Sequence, residues 1–191
     1  MLVPVLETER LLIRPFALDD LDACHRLFDL EAKMEEQSRD ERRQWLTWAV
    51  MNYAELDKLG QPPYGDRAVV LKATGHLVGS VGLVPCLAPF GVLPSFSPVS
   101  DPQAARRSTP EMGLFWALAL DQRGCGYATE AARALTEYAF KELNLHRIVA
   151  TTDYANERSI AVMRRLGMTI EKNPYPEPKW FQVVGVLGND A

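Results

Sequence analysis

The octet Arg123-Gly124-Cys125-Gly126-Tyr127-Ala128-Thr129-Glu130 stands between an apolar run, Glu111 to Leu120, and a long amphipathic stretch. Nothing else in the chain constrains the fold as tightly. Glycine reaches backbone angles that a β-carbon forbids, so a turn with two of them can aim several N–H groups at one point. The helix expected from about Tyr127 to Leu143 leaves its first N–H groups unpaired and carries partial positive charge at that end. Strand, glycine turn and helix in that order predict an α/β layout. Such a turn suits a phosphate or pyrophosphate at the strand's C-terminal end.

The rest of the chain supplies the elements for that layout. Leu11 to Pro15 reads as a first strand, and Asp19 and Asp20 open a helix with Leu21, Cys24, Leu27 and Phe28 on one face. A second helix spans about Asp40 to Leu59, with Trp45 and Trp48 read as packing residues. Arg67 to Lys72 and Leu77 to Val84 form a hairpin through Thr74-Gly75. Glu111 to Leu118 reads as a strand buried on both faces. Arg147 to Thr152 is the next strand; Asn156 then precedes a short helix ending near Leu166 and capped by Gly167, and a last strand runs from about Trp180 to Leu187. Pro85 to Pro110, rich in proline and serine, is expected to be a long loop, either a substrate lid or an exposed insertion.

Composition narrows the function. The 191 residues fit one domain, and 47% apolar content is that of a soluble globular protein. No apolar run approaches the ~20 residues that span a bilayer, and no signal pattern opens the chain, so a cytoplasmic location without a membrane partner is expected. A net charge of −4 gives no footprint for nucleic acid. Cys24, Cys86 and Cys125 lack metal-ligand spacing, and no metal is expected. His25, His76 and His146 are scattered.

Two phosphate-binding readings fail. A P-loop needs a Gly-Lys-Ser/Thr ending that the octet lacks, and a dinucleotide fingerprint needs a third glycine where Thr129 stands. A third fits: Arg123-x-x-Gly126-x-Ala128 resembles the Arg/Gln-x-x-Gly-x-Gly/Ala signature of the GNAT acetyltransferase superfamily, which holds the pyrophosphate of coenzyme A. Further stretches resemble the branch that acetylates ribosomal-protein N-termini (RimJ/RimL-like). These are Leu6-Glu7-Thr8-Glu9-Arg10-Leu11-Leu12-Ile13-Arg14, Glu111-Met112-Gly113-Leu114-Phe115-Trp116-Ala117-Leu118, Gly126-Tyr127-Ala128-Thr129-Glu130-Ala131, and Asn156-x-x-Ser159 with Leu166-Gly167-Met168.

The resemblance implies a single-domain GNAT fold, with a mixed, splayed central sheet flanked by helices. It implies transfer of acetyl from acetyl-CoA to a primary amine by direct attack in a ternary complex. The amides of Gly124, Cys125, Gly126, Tyr127, Ala128 and Thr129 would take the pyrophosphate, with Arg123 and the Thr129 hydroxyl assisting. Backbone of Trp116, Ala117 and Leu118 would pair with the pantetheine arm as an added strand. Glu111 is the candidate base, acting through water, and an exposed strand-end carboxylate is its alternative. Ser159 would protonate the thiolate and Asn156 would hold the arm, one helical turn apart; an ordinary N-cap is the alternative for Asn156. Many family members carry a tyrosine acid four residues after Ser159, where this chain has Met163. The acceptor is expected to be a protein N-terminal α-amine, with a small-molecule amine as the alternative, in a monomer or homodimer. A non-catalytic acyl-CoA-binding regulator is the reading outside the enzyme class.

Overall fold

Leu11 and Ile13 are fully buried and orient the first long strand, because alternate residues of a strand face opposite sides. The structure, a computed structural model, describes residues 3–31, 36–96 and 102–189. A two-residue strand β1 (Leu6–Glu7) precedes β2 (Leu11–Pro15), which leads through a 3-10 turn into α1 (Leu21–His25) and a π-helical continuation to Glu31. Ser38 starts α2 (Arg39–Lys58) with a reciprocal capping box. Its hydroxyl accepts from Glu41 N at 3.3 Å, and its own N–H donates to Glu41 Oε2 at 2.8 Å. Then follow β3 (Gly65–Leu71), β4 (Leu77–Ala88), α3 (Pro102–Ala105), β5 (Thr109–Leu118), α4 (Tyr127–Lys141), β6 (Arg147–Thr152), α5 (Glu157–Arg165), β7 (Thr169–Lys172) and β8 (Val183–Gly188). The strands form an open mixed sheet in the order β1-β2-β3-β4-β5-β6-β8-β7. This is the α/β architecture that the glycine turn predicted.

The chain divides into two compact units, Met1–Leu83 with Phe115–Tyr138, and Val84–Leu114 with Ala139–Ala191. In the first, β1, β2, β3 and the start of β4 pair antiparallel, with Leu11 opposite Leu71 and Arg67 opposite Val81. Phe16, Leu21, Cys24, Leu27, Phe28 and Leu46 bury against Ala68, Val70, Leu77 and Ala117. Each fully buried large side chain of this kind contributes about 1.5–3 kcal/mol. Trp45 meets Phe16 and Phe28 edge-on at 5.6 and 5.3 Å, whereas Trp48 is 59% exposed and is not the packing residue expected. The buried Arg67 guanidinium lies 4.8 Å from the Tyr138 ring centroid and donates to the carbonyls of Pro4 and Pro63. It ties the N-terminal segment and the end of α2's loop to α4.

In the second unit, β5 pairs in parallel with β6 at Gly113↔Val149, while β6 and β7 flank β8 antiparallel. The described residues of the Pro85–Pro110 segment are more ordered than a long loop. Pro85 to Ala88 continue β4, and Thr109 already belongs to β5. Between them Phe90, Leu93 and Phe96 are buried against Val149, Phe181 and Val184. Phe90 stacks on Phe96 at 4.9 Å and meets Phe181 edge-on at 5.3 Å. The three-residue spacing of these apolar side chains is the signal that the prolines and serines obscured. Residues 97–101 of the segment lie outside the described residues. Two further features differ from the expectation: β7 is an additional strand, and β8 begins at Val183 because Lys179–Phe181 form a 3-10 turn.

Candidate functional site

Strand β5 ends at Leu118, and a 3-10 turn, Leu120–Gln122, reverses the chain toward Arg123. Arg123 is extended, and its Nε donates to the Leu118 carbonyl at 3.1 Å, tying the turn to the end of its strand. Gly124 and Gly126 then adopt φ of +81° and +84°, angles that cost an L-residue about 1–2 kcal/mol. These two left-handed residues bend the backbone into the start of α4. Ala131, Ala132 and Leu135 are 0–1% exposed, so the buried face of α4 fixes the helix from which the turn hangs.

The consequence is a run of unpaired donors. Among the described residues, none of the N–H groups of Gly124, Cys125, Gly126, Tyr127, Ala128 and Thr129 donates to a protein acceptor; the next, Glu130 N, bonds Gly126 O at 3.0 Å. Six consecutive free N–H groups at the positive end of a 15-residue helix form a site for an anion. Cys125 is exposed, and its Sγ turns back toward Arg123 O at 3.8 Å.

Behind the turn lies an arrangement that sequence reasoning left without a role. Glu130, in the first turn of α4, accepts hydrogen bonds from Thr8 Oγ1 at 2.5 Å, Arg10 N at 3.1 Å and Arg10 Nε at 2.7 Å. Burial pushes its carboxyl upward, but the Thr8 and Arg10 hydrogen bonds outweigh this and hold it below the usual carboxylate range. The same hydrogen bond raises the Arg10 guanidinium above its ordinary value. Both stretches stand inside the quoted resemblance, which was the available signal.

On β5, Ala119 N donates to Val78 O at 3.0 Å, so Ala119 turns its main-chain groups toward β4. Main-chain groups alternate in direction along a strand, so Ala117 faces β4 as well, while Trp116 and Leu118 face the other way. Leu118 O is taken by Arg123, which leaves the Leu118 N–H and the Trp116 groups pointing away from β4.

Trp116 to Thr129 belong to the first unit, and Glu111, Asn156 and Ser159 to the second. There Glu111 is no open carboxylate. Its two oxygens accept from Arg147 Nε at 2.9 Å and Nη2 at 2.6 Å, and the Arg147 guanidinium lies 4.2 Å from the Phe96 ring centroid. Asn156 caps α5 through Oδ1, which accepts from Ser159 N at 3.1 Å. Asp153 Oδ1 in turn receives Ala155 N and Asn156 N at 2.8 and 2.9 Å. The cap brings Asn156 and Ser159 together, with the Asn156 amide NH2 and the half-buried Ser159 hydroxyl still without a partner among the described residues. Met163 is 1% exposed, and its thioether packs on Gly185 beside that of Met168. Its position in the core explains an apolar residue there.

Among the described residues no group of His, Cys, Asp or Glu is arranged to hold a metal, and no helix is long and apolar enough to cross a membrane.

Known proteins resemble this chain in sequence and fold. Residues 10–169 match the model of the acetyltransferase (GNAT) domain. The FsC-acetyl coenzyme A-N(2)-transacetylase of Aspergillus fumigatus is 30% identical over 182 residues, which cover 87% of this chain and 65% of that protein. The uncharacterized N-acetyltransferase YnaD of Bacillus subtilis is 48% identical over 63 residues, covering 33% of this chain and 36% of that protein. The alignments therefore span between about a third and two thirds of these relatives' lengths. The crystal structure of an Agrobacterium tumefaciens acetyltransferase superposes with a TM-score of 0.65 at 27% identity, over 98% of this chain and 95% of that one. With an open mixed sheet, a glycine turn at the head of α4 and a family match across most of its length, the chain belongs to the GNAT acetyltransferase family.

Proposed function

We propose that the chain transfers the acetyl group of acetyl-CoA to a primary amine by direct attack in a ternary complex. The run of six unpaired N–H groups from Gly124 to Thr129 carries this reading. A diphosphate supplies the acceptor oxygens that such a row lacks, and the α4 dipole favours its charge. Arg123 fastens the row to β5 through Leu118 O and has guanidinium donors left for a phosphate oxygen. The Thr129 hydroxyl adds one more donor.

The pantetheine amides would pair with the Trp116 groups and the Leu118 N–H, which point away from β4; Ala117 contributes packing rather than hydrogen bonds. Ser159 donates a proton to the leaving thiolate, and the Asn156 NH2 holds the arm while its Oδ1 caps the helix. Glu111 receives the amine's proton through water on a lone pair left free, since Arg147 uses one acceptor site of each oxygen and holds the carboxylate in place.

For the acceptor, the four stretches resembling the ribosomal-protein branch support a protein N-terminal α-amine. A relative named spermidine N(1)-acetyltransferase, 37% identical over 51 residues, supports a small-molecule amine instead. Thiol release from acetyl-CoA, measured against a panel of N-terminal peptides, polyamines and other small primary amines, tests both. Release with a peptide favours the first and with a small amine the second. Tight binding of coenzyme A without release across the panel would make the chain an acyl-CoA-binding regulator.

A further inference from the structure

Arg10 makes more contacts to the glycine turn than any role assigned so far requires. Its Nε and Nη2 engage Glu130 Oε2 at 2.7 and 2.6 Å, and its Nη1 donates to Cys125 O at 3.0 Å. The guanidinium lies 4.5 Å from the Tyr127 ring centroid, and Nη2 comes within 3.4 Å of where a β-carbon on Gly126 would stand. The bend that carries Arg10 is itself tied. Thr8 N donates to Leu11 O at 3.0 Å, Leu11 N donates to Thr8 Oγ1 at 2.9 Å, and Thr8 Oγ1 also reaches Glu130. A hairpin more than a hundred residues earlier in the chain thus grips the turn from behind.

Stability gives this grip little reason to exist, because Arg10 is 42% exposed and solvent weakens an ion pair at such a position. Peptide geometry gives a better one. In a trans peptide the C=O and the following N–H point in opposite directions. Holding Cys125 O on Arg10 therefore turns the Gly126 N–H the other way, outward into the row of free donors. Glycine at 124 and 126 leaves the intervening peptides free to rotate, and the guanidinium removes that freedom. It also neutralises the Glu130 carboxylate, a charge that would otherwise repel an anion at the helix start. Three of its five N–H donors are engaged, so two remain.

We propose that Arg10 is a positioning residue for the diphosphate cradle: held by Glu130, it locks the Cys125–Gly126 peptide with its N–H facing the ligand and keeps a positive charge beside the turn. This rests on the acetyl-CoA reading. Titration calorimetry with coenzyme A on the full chain separates the two. Arg10→Ala weakens binding about 10- to 100-fold, the range of a lost charge-assisted contact. Arg10→Lys recovers only part, because an ammonium restores charge but cannot bond Glu130 and Cys125 O in one plane. The double variant Arg10→Met/Glu130→Gln removes the uncompensated carboxylate yet still binds more weakly than wild type, since the peptide is no longer pinned. In steady-state kinetics KM for acetyl-CoA rises while KM for the amine stays put, and the melting temperature of the ligand-free protein moves little in Arg10→Lys. Wild-type binding of coenzyme A with undiminished affinity in Arg10→Ala overturns the inference alone. Parallel losses of apo stability and of amine KM overturn it in favour of a purely structural clasp. No coenzyme A binding by wild type overturns the acetyl-CoA reading and this inference with it.

Discussion

Replacing Asp66 with asparagine is expected to stabilise the protein at neutral pH and to leave it unchanged in acid. Asp66, second in β3, lies opposite Gly82, half-buried, and among the described residues no donor reaches its carboxylate. Its backbone carbonyl accepts from the Tyr53 hydroxyl, but its side chain stands alone. Burial pushes the carboxyl up to about 6 from 3.8, against a small opposing pull from Arg42. The folded pKa is thus raised: the native state holds a proton that the unfolded chain has already lost. The folded state is favoured below the unfolded value, and that advantage disappears as pH rises through about 6. At ~1.4 kcal/mol per tenfold, the rise from 3.8 to about 6 sets a ceiling near 3 kcal/mol above pH 7. Water reaches a half-buried carboxylate, so about 1–2 kcal/mol is the working expectation. Asparagine has the same shape, and its buried amide costs about as much as the protonated acid. For a chain of this length the gain corresponds to roughly 2–8 °C in Tm. Thermal melts of both proteins from pH 4.5 to 8 read it directly, with the gap falling to about half its neutral value near pH 5. Equal Tm values at pH 7.5, or a gap of the same size at every pH, would refute the reasoning.

Two further outcomes bear on the proposed chemistry. Gly126→Val places a β-branched side chain at φ +84°, with its β-carbon 3.4 Å from Arg10 Nη2, and should abolish measurable coenzyme A binding by calorimetry; unchanged affinity would show that the ligand does not approach this residue. Ser159→Ala keeps the Asn156 cap, because the bond uses the Ser159 main-chain N–H, so stability and cofactor affinity should hold while turnover drops about 10- to 1000-fold. Wild-type turnover in that variant returns Ser159 to ordinary helix surface.

Much of the layout was legible because it follows from local rules. Leu11 to Pro15, the hairpin around Gly75, the helix after the glycine turn and the strand Arg147 to Thr152 all stand where periodicity put them. The segment after Pro85 was misread because composition outweighed spacing: Phe90, Leu93 and Phe96 repeat every third residue, and burial against Phe181 orders them despite the prolines. Helical spacing puts Trp48 beside Trp45, Ala49 and Leu56, but spacing does not fix how wide the buried stripe is: those three turn to the core and Trp48 falls beyond its edge, 59% exposed. Sequence leaves Asn156 as cap or ligand; the structure uses Oδ1 for the cap and, among the described residues, leaves the NH2 without a partner, so one side chain accommodates both readings.

By itself the sequence determined the bend. Gly124 and Gly126 permit left-handed angles, and the apolar face of α4 anchors the helix that follows, both through neighbours a few residues away. Tertiary structure alone decided which charges meet: Arg10 with Glu130 across 120 residues, and Arg147 with Glu111 across 36. Partners so distant are set by strand order and by the closure of the loops between strands, and no local period in a chain encodes them.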